Sequence, residues 1–215
     1  MQPNSLRISE IFTSLQGEST NTGLLTTFIR LVGCPLRCQY CDTTYAFNGG
    51  TIFSIEHVLQ HIISMHTINI CVTGGEPLAQ PNCFILLQML CDFNYKVSLE
   101  TSGAHDIERV DPRVMIVMDL KTPDSLEEHR NLFKNLDYLK KIDQIKFVLC
   151  SRLDYDWACK IICQYNLVDK LEILFSPSWG QLDPTLLANW IVSDRLPVRL
   201  QIQLHKVLWG NAPGV

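Results

Sequence analysis

Short β-branched runs alternate along the chain with segments of helical apolar spacing, and this alternation constrains the fold more than any other feature. Strand-like runs lie at residues 27–32, 68–72, 96–99, 114–118, 145–149, 171–175 and 198–204. Helical patterns lie between them, at residues 55–63 behind a Ser54 N-cap, and at 84–90, 126–139, 157–165 and 184–191. Repeated strand–helix units predict a parallel sheet with helical crossovers.

The length of the chain limits how far such a sheet can close. A complete eight-unit barrel takes about 250 residues, whereas this chain has 215 and is irregular over residues 42–54. We therefore predict an α/β fold in the form of an open, partial TIM-like (β/α) barrel, with a doubly wound parallel sheet as the alternative. No linker or break in composition divides the chain, so we predict a single domain over residues 1–215.

Composition and charge exclude several classes of function. The chain is 47% hydrophobic and 19% charged, which is typical of a globular protein, and its formal net charge is −4. An acidic balance argues against nucleic acid as a partner. No run of eighteen apolar residues predicts a membrane span, and the N-terminus lacks the apolar core of a signal peptide. We expect a cytoplasmic protein that binds neither nucleic acid nor membrane.

Polar residues gather where the predicted strands end. They are Arg30, residues 73–76, residues 100–103, residues 119–121, residues 176–179 and His205. In parallel α/β folds the carboxyl ends of the strands form the rim at which ligands bind. The pattern predicts an active site at this rim, although strands also end in polar residues simply because loops begin there.

Three of the nine cysteines are clustered: Cys34, Cys38 and Cys41 form a C-x3-C-x2-C element. The other six lie among apolar neighbours and are interpreted as small hydrophobic residues. Zinc would normally take a fourth protein ligand, and a ferredoxin-type cluster would take four cysteines. Three thiolates on a four-iron cluster leave one iron open, and a small molecule can coordinate that iron.

The cysteine element, with Tyr40 before its last cysteine, resembles that of the radical S-adenosylmethionine enzymes. Thr73-Gly74-Gly75-Glu76-Pro77 is similar to the GGEP motif of that superfamily. Its glycines permit close backbone approach, and its carbonyl groups and the Glu76 carboxylate are expected to accept hydrogen bonds from an ammonium group. The resemblance implies a [4Fe–4S] cluster and S-adenosylmethionine as cofactors for radical chemistry.

A more specific resemblance, to the 7-carboxy-7-deazaguanine synthase family, extends along nearly the whole chain. It rests on residues 10–18, 28–34 and 41–43, and on residues 201–206 with Trp209 and the Pro-Gly-Val end. Two positions depart from the family pattern: Ser19 stands where glycine is common, and Asp119 stands where some members have serine. The resemblance implies a lyase of queuosine and 7-deazapurine biosynthesis, a tRNA modification pathway. Its reaction converts 6-carboxy-5,6,7,8-tetrahydropterin to 7-carboxy-7-deazaguanine with loss of ammonia.

The resemblance also implies roles for individual residues. Cys34, Cys38 and Cys41 would hold the cluster, and Thr43 would bind Mg2+. The substrate residues would be Leu15, Gln16, Gly17, Arg30, Thr73 and Val215, the last through its terminal carboxylate. The S-adenosylmethionine residues would be Tyr40, Gly75, Asp119, Lys121, Ser176, Pro177, Ser178 and Trp179. The roles of Glu18, Glu100 and His205 stay open between catalysis and structure. A reductase such as flavodoxin and a homodimeric state are implied as well.

Two other classes of protein share part of this pattern. A glycyl-radical activase is also small and uses C-x3-C-x2-C, but it acts on a protein and does not need Gln16-Gly17-Glu18, Arg30 or the C-terminal motif. An iron–sulfur electron carrier or a zinc-binding interaction module would need a fourth ligand and no GGEP turn. The sequence therefore favours the pterin-converting enzyme.

Overall fold

A single nine-stranded sheet carries the fold in the computed structural model, which describes residues 4–212 and 214. The strands are β1 (Ser5–Leu15), β2 (Leu25–Leu31), β3 (Thr51–Ser54), β4 (Asn69–Gly74), β5 (Lys96–Thr101), β6 (Met115–Asp119), β7 (Gln144–Leu149), β8 (Glu172–Pro177) and β9 (Arg199–Leu200). The α-helices are α1 (Ile55–Ser64), α2 (Cys83–Asp92), α3 (Arg152–Tyr165), α4 (Pro184–Asp194) and α5 (Leu204–Trp209).

The order of the strands makes the sheet an open, partial barrel, as predicted. The order is β3-β1-β2-β4-β5-β6-β7-β8-β9, so the edge strands β3 and β9 lie at opposite ends. From β2 to β9 all neighbours are parallel, whereas β1 is antiparallel to both β2 and β3. Each of the seven predicted strand regions overlaps one of the parallel strands. The carboxyl ends of these strands consequently meet at one rim.

Neither β1 nor β3, the two antiparallel partners at this end of the sheet, was predicted as a strand. β1 pairs with β2 so that Glu10 lies opposite Arg30, and it also pairs with β3 from Ser5 to Ile8. Much of β1 is only half-buried. A strand of this kind gives a weak periodic signal, because neither of its faces is uniformly apolar.

The last predicted strand is shorter than expected. β9 covers only Arg199–Leu200, and the chain then turns into α5, so His205 lies in a helix and not on a strand. Gln201 N–H still donates to the Phe175 carbonyl of the neighbouring strand β8 (2.9 Å), whereas Leu204 N–H donates to the Gly17 carbonyl after β1 (3.0 Å). The hairpin at the other end of the chain therefore determines where β9 ends.

The helix predicted over residues 126–139 is absent. Three short 3-10 turns, Pro123–Ser125, Glu128–Arg130 and Phe133–Asp137, connect β6 to β7. Asn131 bonds through its side chain to both backbone groups of Lys121, at 2.8 Å each, and the Asn135 amide donates to the carbonyls of Gly103 and His105. Side-chain bonds to the backbone compete with helix formation, and here they outweigh a moderate helical pattern.

The helical crossovers elsewhere follow the prediction. Ser54 caps α1 by accepting from the His57 N–H, and the apolar face of α1 packs on the sheet through Val58 and Ile62. Under α3, the Phe147 ring meets Phe175 edge-on with 5.6 Å between centroids. None of the helices among residues 4–212 has the length and apolar character needed to cross a membrane.

We expect Phe147→Ala to lower the free energy of unfolding by about 3–5 kcal/mol, because it leaves a cavity among packed rings. Phe147 is fully buried on β7, directly beneath the rim. Leu153→Ala, at an exposed leucine of the adjacent helix α3, is the matched control and should stay within about 0.5 kcal/mol of the wild type. Urea unfolding of both variants measures the difference, and equal losses would contradict the assignment of Phe147 to the core.

Candidate active site

A cavity of about 750 Å³ opens at the carboxyl ends of the parallel strands. It is lined by every predicted site residue that the structure describes: Leu15, Gln16, Gly17, Arg30, Cys34, Cys38, Tyr40, Cys41, Thr43, Thr73, Gly75, Asp119, Lys121, Ser176, Pro177, Ser178 and Trp179. Glu18, Glu100 and His205 line it as well. Val215 lies outside the described residues. The sheet thus gathers residues from both ends of the chain into one space.

The glycine turn after β4 holds the start of the cysteine loop. Gly75 N–H donates to the Leu31 carbonyl (3.1 Å), and Glu76 N–H donates to the Gly33 carbonyl (2.7 Å). A Cβ atom at Gly75 would lie 2.4 Å from the Gly33 oxygen and 2.9 Å from the Cys34 Cβ. Only glycine allows this approach, so the turn and the cysteine loop form one packed unit.

The three clustered thiols suit an iron–sulfur cluster. All nine cysteines are described and free, and only Cys34, Cys38 and Cys41 line the cavity. Among residues 4–212 and 214, no three His, Cys, Asp or Glu side chains are gathered as a site for one metal ion. A cluster does not need that geometry, because each thiolate binds a separate iron. Burial raises the pKa of Cys38 to about 11, so cluster binding must release its proton.

A polar group without a partner marks the side of the cavity next to the cysteine loop. The Tyr40 hydroxyl is buried and makes no hydrogen bond with the described residues. The Lys121 ammonium lies 6.0 Å from the centre of the Tyr40 ring and donates to Asp119 at 2.6 Å. Buried hydroxyls normally find a partner, so the unpaired hydroxyl fits a polar ligand such as S-adenosylmethionine.

Glu76 does not take the role that the motif suggested. Its side chain is fully buried and accepts from the Leu78 N–H (2.9 Å), the Thr101 hydroxyl (2.9 Å) and both the N–H and the hydroxyl of Ser102. The expectation that this carboxylate accepts from a ligand ammonium group is therefore wrong. Glu76 instead connects the glycine turn to the end of β5, and the carbonyl groups of the turn remain beside the cavity.

Arg30 is oriented by a carboxylate from the neighbouring strand. Its Nε donates to Glu10 at 2.7 Å, and the Tyr45 hydroxyl donates to the same oxygen at 2.9 Å. The guanidinium lies 5.9 Å from the ring centres of both Phe12 and Tyr45. No hydrogen bond within the described part of the chain uses its two terminal nitrogens. A fork in this arrangement is suited to bidentate binding of a carboxylate.

Glu100 joins two of the predicted substrate residues. Its carboxylate accepts from the Thr73 hydroxyl at 2.9 Å and from the Gln16 amide at 3.3 Å. Because Glu100 also lines the cavity, it presents a carboxylate whose orientation is set by Thr73 of β4 and by Gln16, which directly follows β1. This arrangement suits recognition of the N–H groups of a ligand.

The C-terminal helix α5 completes the cavity wall. A Cβ atom at Gly17 would lie 2.1 Å from Nδ1 of His205, so the helix packs directly on the N-terminal turn. Lys206 reaches Asp42 at 3.1 Å, and the Thr43 hydroxyl donates to the same aspartate at 2.8 Å. Burial alone would raise the pKa of Asp42, but Lys206 and Thr43 together lower it, which keeps the carboxylate ionised.

The backbone conformation at Ser19 explains why glycine suits this position in the family pattern. Ser19 has a φ of 67°, in the left-handed region that favours glycine. Its hydroxyl accepts from the Asn21 N–H at 3.1 Å, which stabilises the turn locally. The substitution therefore leaves the adjacent Gln16–Glu18 segment at the cavity wall.

Sequence reasoning missed several cavity residues. Asp42, Gln203 and Lys206 belong to motifs that were recognised, but they were given no role of their own. Lys146 was missed entirely, although a lone lysine within the apolar run of β7 is an available signal. Buried lysines are rare unless they are paired, and Lys146 is paired on two sides.

Comparisons with known proteins agree with this site. The model of the radical S-adenosylmethionine superfamily matches residues 28–146, which contain the cysteine loop and the glycine turn. The chain is thus a radical S-adenosylmethionine enzyme, and membership implies a [4Fe–4S] cluster and S-adenosylmethionine as cofactors. The fold is similar to that of QueE from Escherichia coli, with a TM-score of 0.78 over 94% of this chain and 95% of that one, at 23% sequence identity.

Curated relatives define the family within this superfamily. The chain is 44% identical to the 7-carboxy-7-deazaguanine synthase of Chlorobaculum tepidum, over 98% of this chain and 97% of the relative. It is 37% identical to the enzyme of the same name from Koribacter versatilis, over 95% of this chain and 97% of that relative. The chain belongs to the 7-carboxy-7-deazaguanine synthase family.

We expect Gly75→Ala to lose most of its cluster, because the added methyl group displaces Gly33 and Cys34. Iron and sulfide content after anaerobic reconstitution measures the loss. Gly23→Ala is the control: Gly23 has a φ of +88°, so alanine strains the backbone there, but its Cβ meets no atom within 4 Å. Normal cluster content in Gly75→Ala would contradict the packed unit described above.

Proposed function

We propose that this enzyme converts 6-carboxy-5,6,7,8-tetrahydropterin to 7-carboxy-7-deazaguanine and releases ammonia. The observation that carries the proposal is the single cavity in which the cysteine loop, the unpaired Tyr40 hydroxyl and the Arg30 fork meet. The family relationship supports the choice of substrate. The curated relatives are named for this activity, and the similarity covers 97% of the length of each.

The cofactor side of the cavity is assigned to residues beside the cysteine loop. Cys34, Cys38 and Cys41 would hold the cluster. Tyr40, the carbonyl of Gly75, Asp119, Lys121 and the turn at residues 176–179 would bind S-adenosylmethionine, with Asp119 acting through its ion pair to Lys121. When bound, the two cofactors would supply one-electron radical chemistry to this side of the cavity.

The substrate side is assigned to other residues of the cavity wall. Arg30 would bind the substrate carboxylate through its two terminal nitrogens, while Glu10 holds its Nε. Leu15, Gln16, Gly17 and Thr73 would contact the pterin ring, with Glu100 held between Gln16 and Thr73. The family resemblance adds the terminal carboxylate of Val215. Main-chain groups and amides suit the alternating donors and acceptors of a pterin edge.

Thr43 is proposed as the protein ligand of Mg2+. The hydroxyl of Thr43 and the carboxylate of Asp42 lie together at the cavity wall and are hydrogen-bonded at 2.8 Å. Mg2+ prefers oxygen ligands and keeps several waters, so one hydroxyl together with the substrate carboxylate is a reasonable partial shell.

The proposal extends to the electron donor, the oligomeric state, the cellular location and the domain organisation. The cluster needs a one-electron donor, for which a reductase such as flavodoxin is suited. Val207, Leu208 and Trp209 of α5 are exposed, which supports a homodimer. Nine free cysteines favour the reducing cytoplasm. Residues 1–215 are proposed to act as one radical S-adenosylmethionine domain, because a single sheet carries the cavity.

An anaerobic assay tests the reaction. The reconstituted, reduced enzyme is incubated with S-adenosylmethionine, Mg2+ and 6-carboxytetrahydropterin, and the products are identified by mass spectrometry. We expect 7-carboxy-7-deazaguanine from the wild type and none above background from Cys38→Ala or Arg30→Ala. Cleavage of S-adenosylmethionine without this product would keep the radical chemistry and favour a glycyl-radical activase.

A second prediction concerns the geometry of Arg30. We expect Arg30→Lys to raise KM for the pterin about tenfold or more with a smaller change in kcat, because a lysine ammonium cannot reproduce the two parallel N–H bonds that the guanidinium fork offers to a carboxylate. Arg199→Lys is the matched control: Arg199 makes the same 2.7 Å contact from Nε to a carboxylate, with Glu172, away from the cavity. Steady-state kinetics of both variants decide the matter, and an unchanged KM in Arg30→Lys would contradict the carboxylate fork.

A further inference from the structure

A network of alternating positive and negative side chains lines part of the cavity. Gln203 donates to Glu18 at 2.8 Å, and Glu18 accepts from Lys146 at 2.6 Å. Lys146 also lies 3.3 Å from Asp119, which accepts from Lys121 at 2.6 Å. Two carboxylates and two ammonium groups therefore alternate without interruption from the C-terminal motif to the cofactor side. We refer to these residues as the ion-pair network; they are Gln203, Glu18, Lys146, Asp119 and Lys121.

Lys146 is the only member of the ion-pair network that contacts both carboxylates. Its side chain is 11% exposed, and those of Glu18 and Asp119 are 12% and 18% exposed. Charges shielded to this degree from water are costly unless each has a partner. The removal of Lys146 would leave Glu18 without a cation, with only the Gln203 amide donating to it, and Asp119 paired with Lys121 alone.

The two ends of the ion-pair network belong to different halves of the proposed site. Glu18 follows the proposed substrate residues Gln16 and Gly17, whereas Lys121 lies 6.0 Å from the ring of Tyr40 on the cofactor side. The contacts given above connect Glu18 to Lys121 only through Lys146 and Asp119. A displacement at one end therefore changes the pairing at the other.

We propose that Lys146 is a positioning residue that couples the substrate side of the cavity to the cofactor side through Glu18 and Asp119. This inference rests on the proposed function for the identity of the two sides. Lysine suits the position, because its ammonium has three donors on one atom and can bond to two carboxylates at once. Burial alone would lower the pKa of Lys146, but Asp119 and Glu18 raise it, so the side chain stays charged.

The primary test removes the charge of Lys146 and measures both sides. We expect Lys146→Met to weaken S-adenosylmethionine binding to the cluster-loaded enzyme, measured by equilibrium dialysis, about tenfold or more. We expect KM for the pterin to rise by a similar factor. Lys146→Arg keeps both ion pairs and should restore most of each affinity.

The matched control is Lys140→Met. Lys140 is also partly buried, lies 3.6 Å from Asp143 and donates to two backbone carbonyls, but it does not line the cavity. This variant should lower the melting temperature and leave both affinities within about twofold of the wild type. If Lys146→Met changed neither affinity, or only one, beyond the values of Lys140→Met, the coupling role would be overturned.

Cross-effects keep the test decisive if Lys146→Met fails to fold. Glu18→Gln, on the substrate side, should weaken S-adenosylmethionine binding, and Asp119→Asn, on the cofactor side, should raise KM for the pterin. A residue that only stabilises its own neighbourhood would not act across the cavity, so the absence of both cross-effects overturns the proposal. The binding measurement does not involve the pterin. It therefore still tests Lys146 if the enzyme makes no 7-carboxy-7-deazaguanine, an outcome that would refute the proposed reaction alone.

Discussion

The site depends on the close approach of two backbones at the ends of adjacent parallel strands. The register of β2 and β4 places Leu31 opposite Gly74, and the chain beyond each strand continues that contact. Because Gly75 has no side chain, Gly33 and Cys34 lie directly against the turn. The cysteine loop is thereby held over the rim where Arg30 and Thr73, which are also opposite in register, end their strands. Cofactor and substrate groups can then meet in one space.

Ion pairs fix the positions of the charged side chains in the remainder of the cavity wall. Each lysine and arginine that lines the cavity has a carboxylate partner: Arg30 has Glu10, Lys206 has Asp42, and Lys121 and Lys146 share Asp119. These pairs hold the side chains in defined positions before any ligand binds, and preorganisation of this kind reduces the cost of orienting a reactant. Glu76 acts in a similar way without a cation, because four donors fix its carboxylate between the glycine turn and β5.

Local pattern was a good guide where one physical signal dominated. The parallel strands are β-branched and buried, and α1 has both a capping serine and an apolar face, so each was predicted from its own residues. The pattern failed where tertiary contacts outweighed it. The segment at residues 126–139 is held by the side chains of Asn131 and Asn135, and β9 is ended by a hydrogen bond to a residue far away in the chain. Propensity is a weak prior against contacts of that kind.

By itself the sequence determined the open α/β barrel, the three-cysteine loop, the glycine turn and the family, because short motifs and hydrophobic periodicity are local properties of a chain. Only the tertiary structure decided which polar side chains have hydrogen-bond or ion-pair partners within the described part of the protein. It buried the Glu76 carboxylate among four donors, left the Tyr40 hydroxyl without a partner among the residues that the structure describes, and placed Lys146 between Glu18 and Asp119. These outcomes depend on groups that come together only when distant strands pair, since Glu18 and Lys146 are 128 positions apart. The reason is physical: hydrogen bonding and ion pairing are set by distance in space, which the order of residues along a chain does not specify.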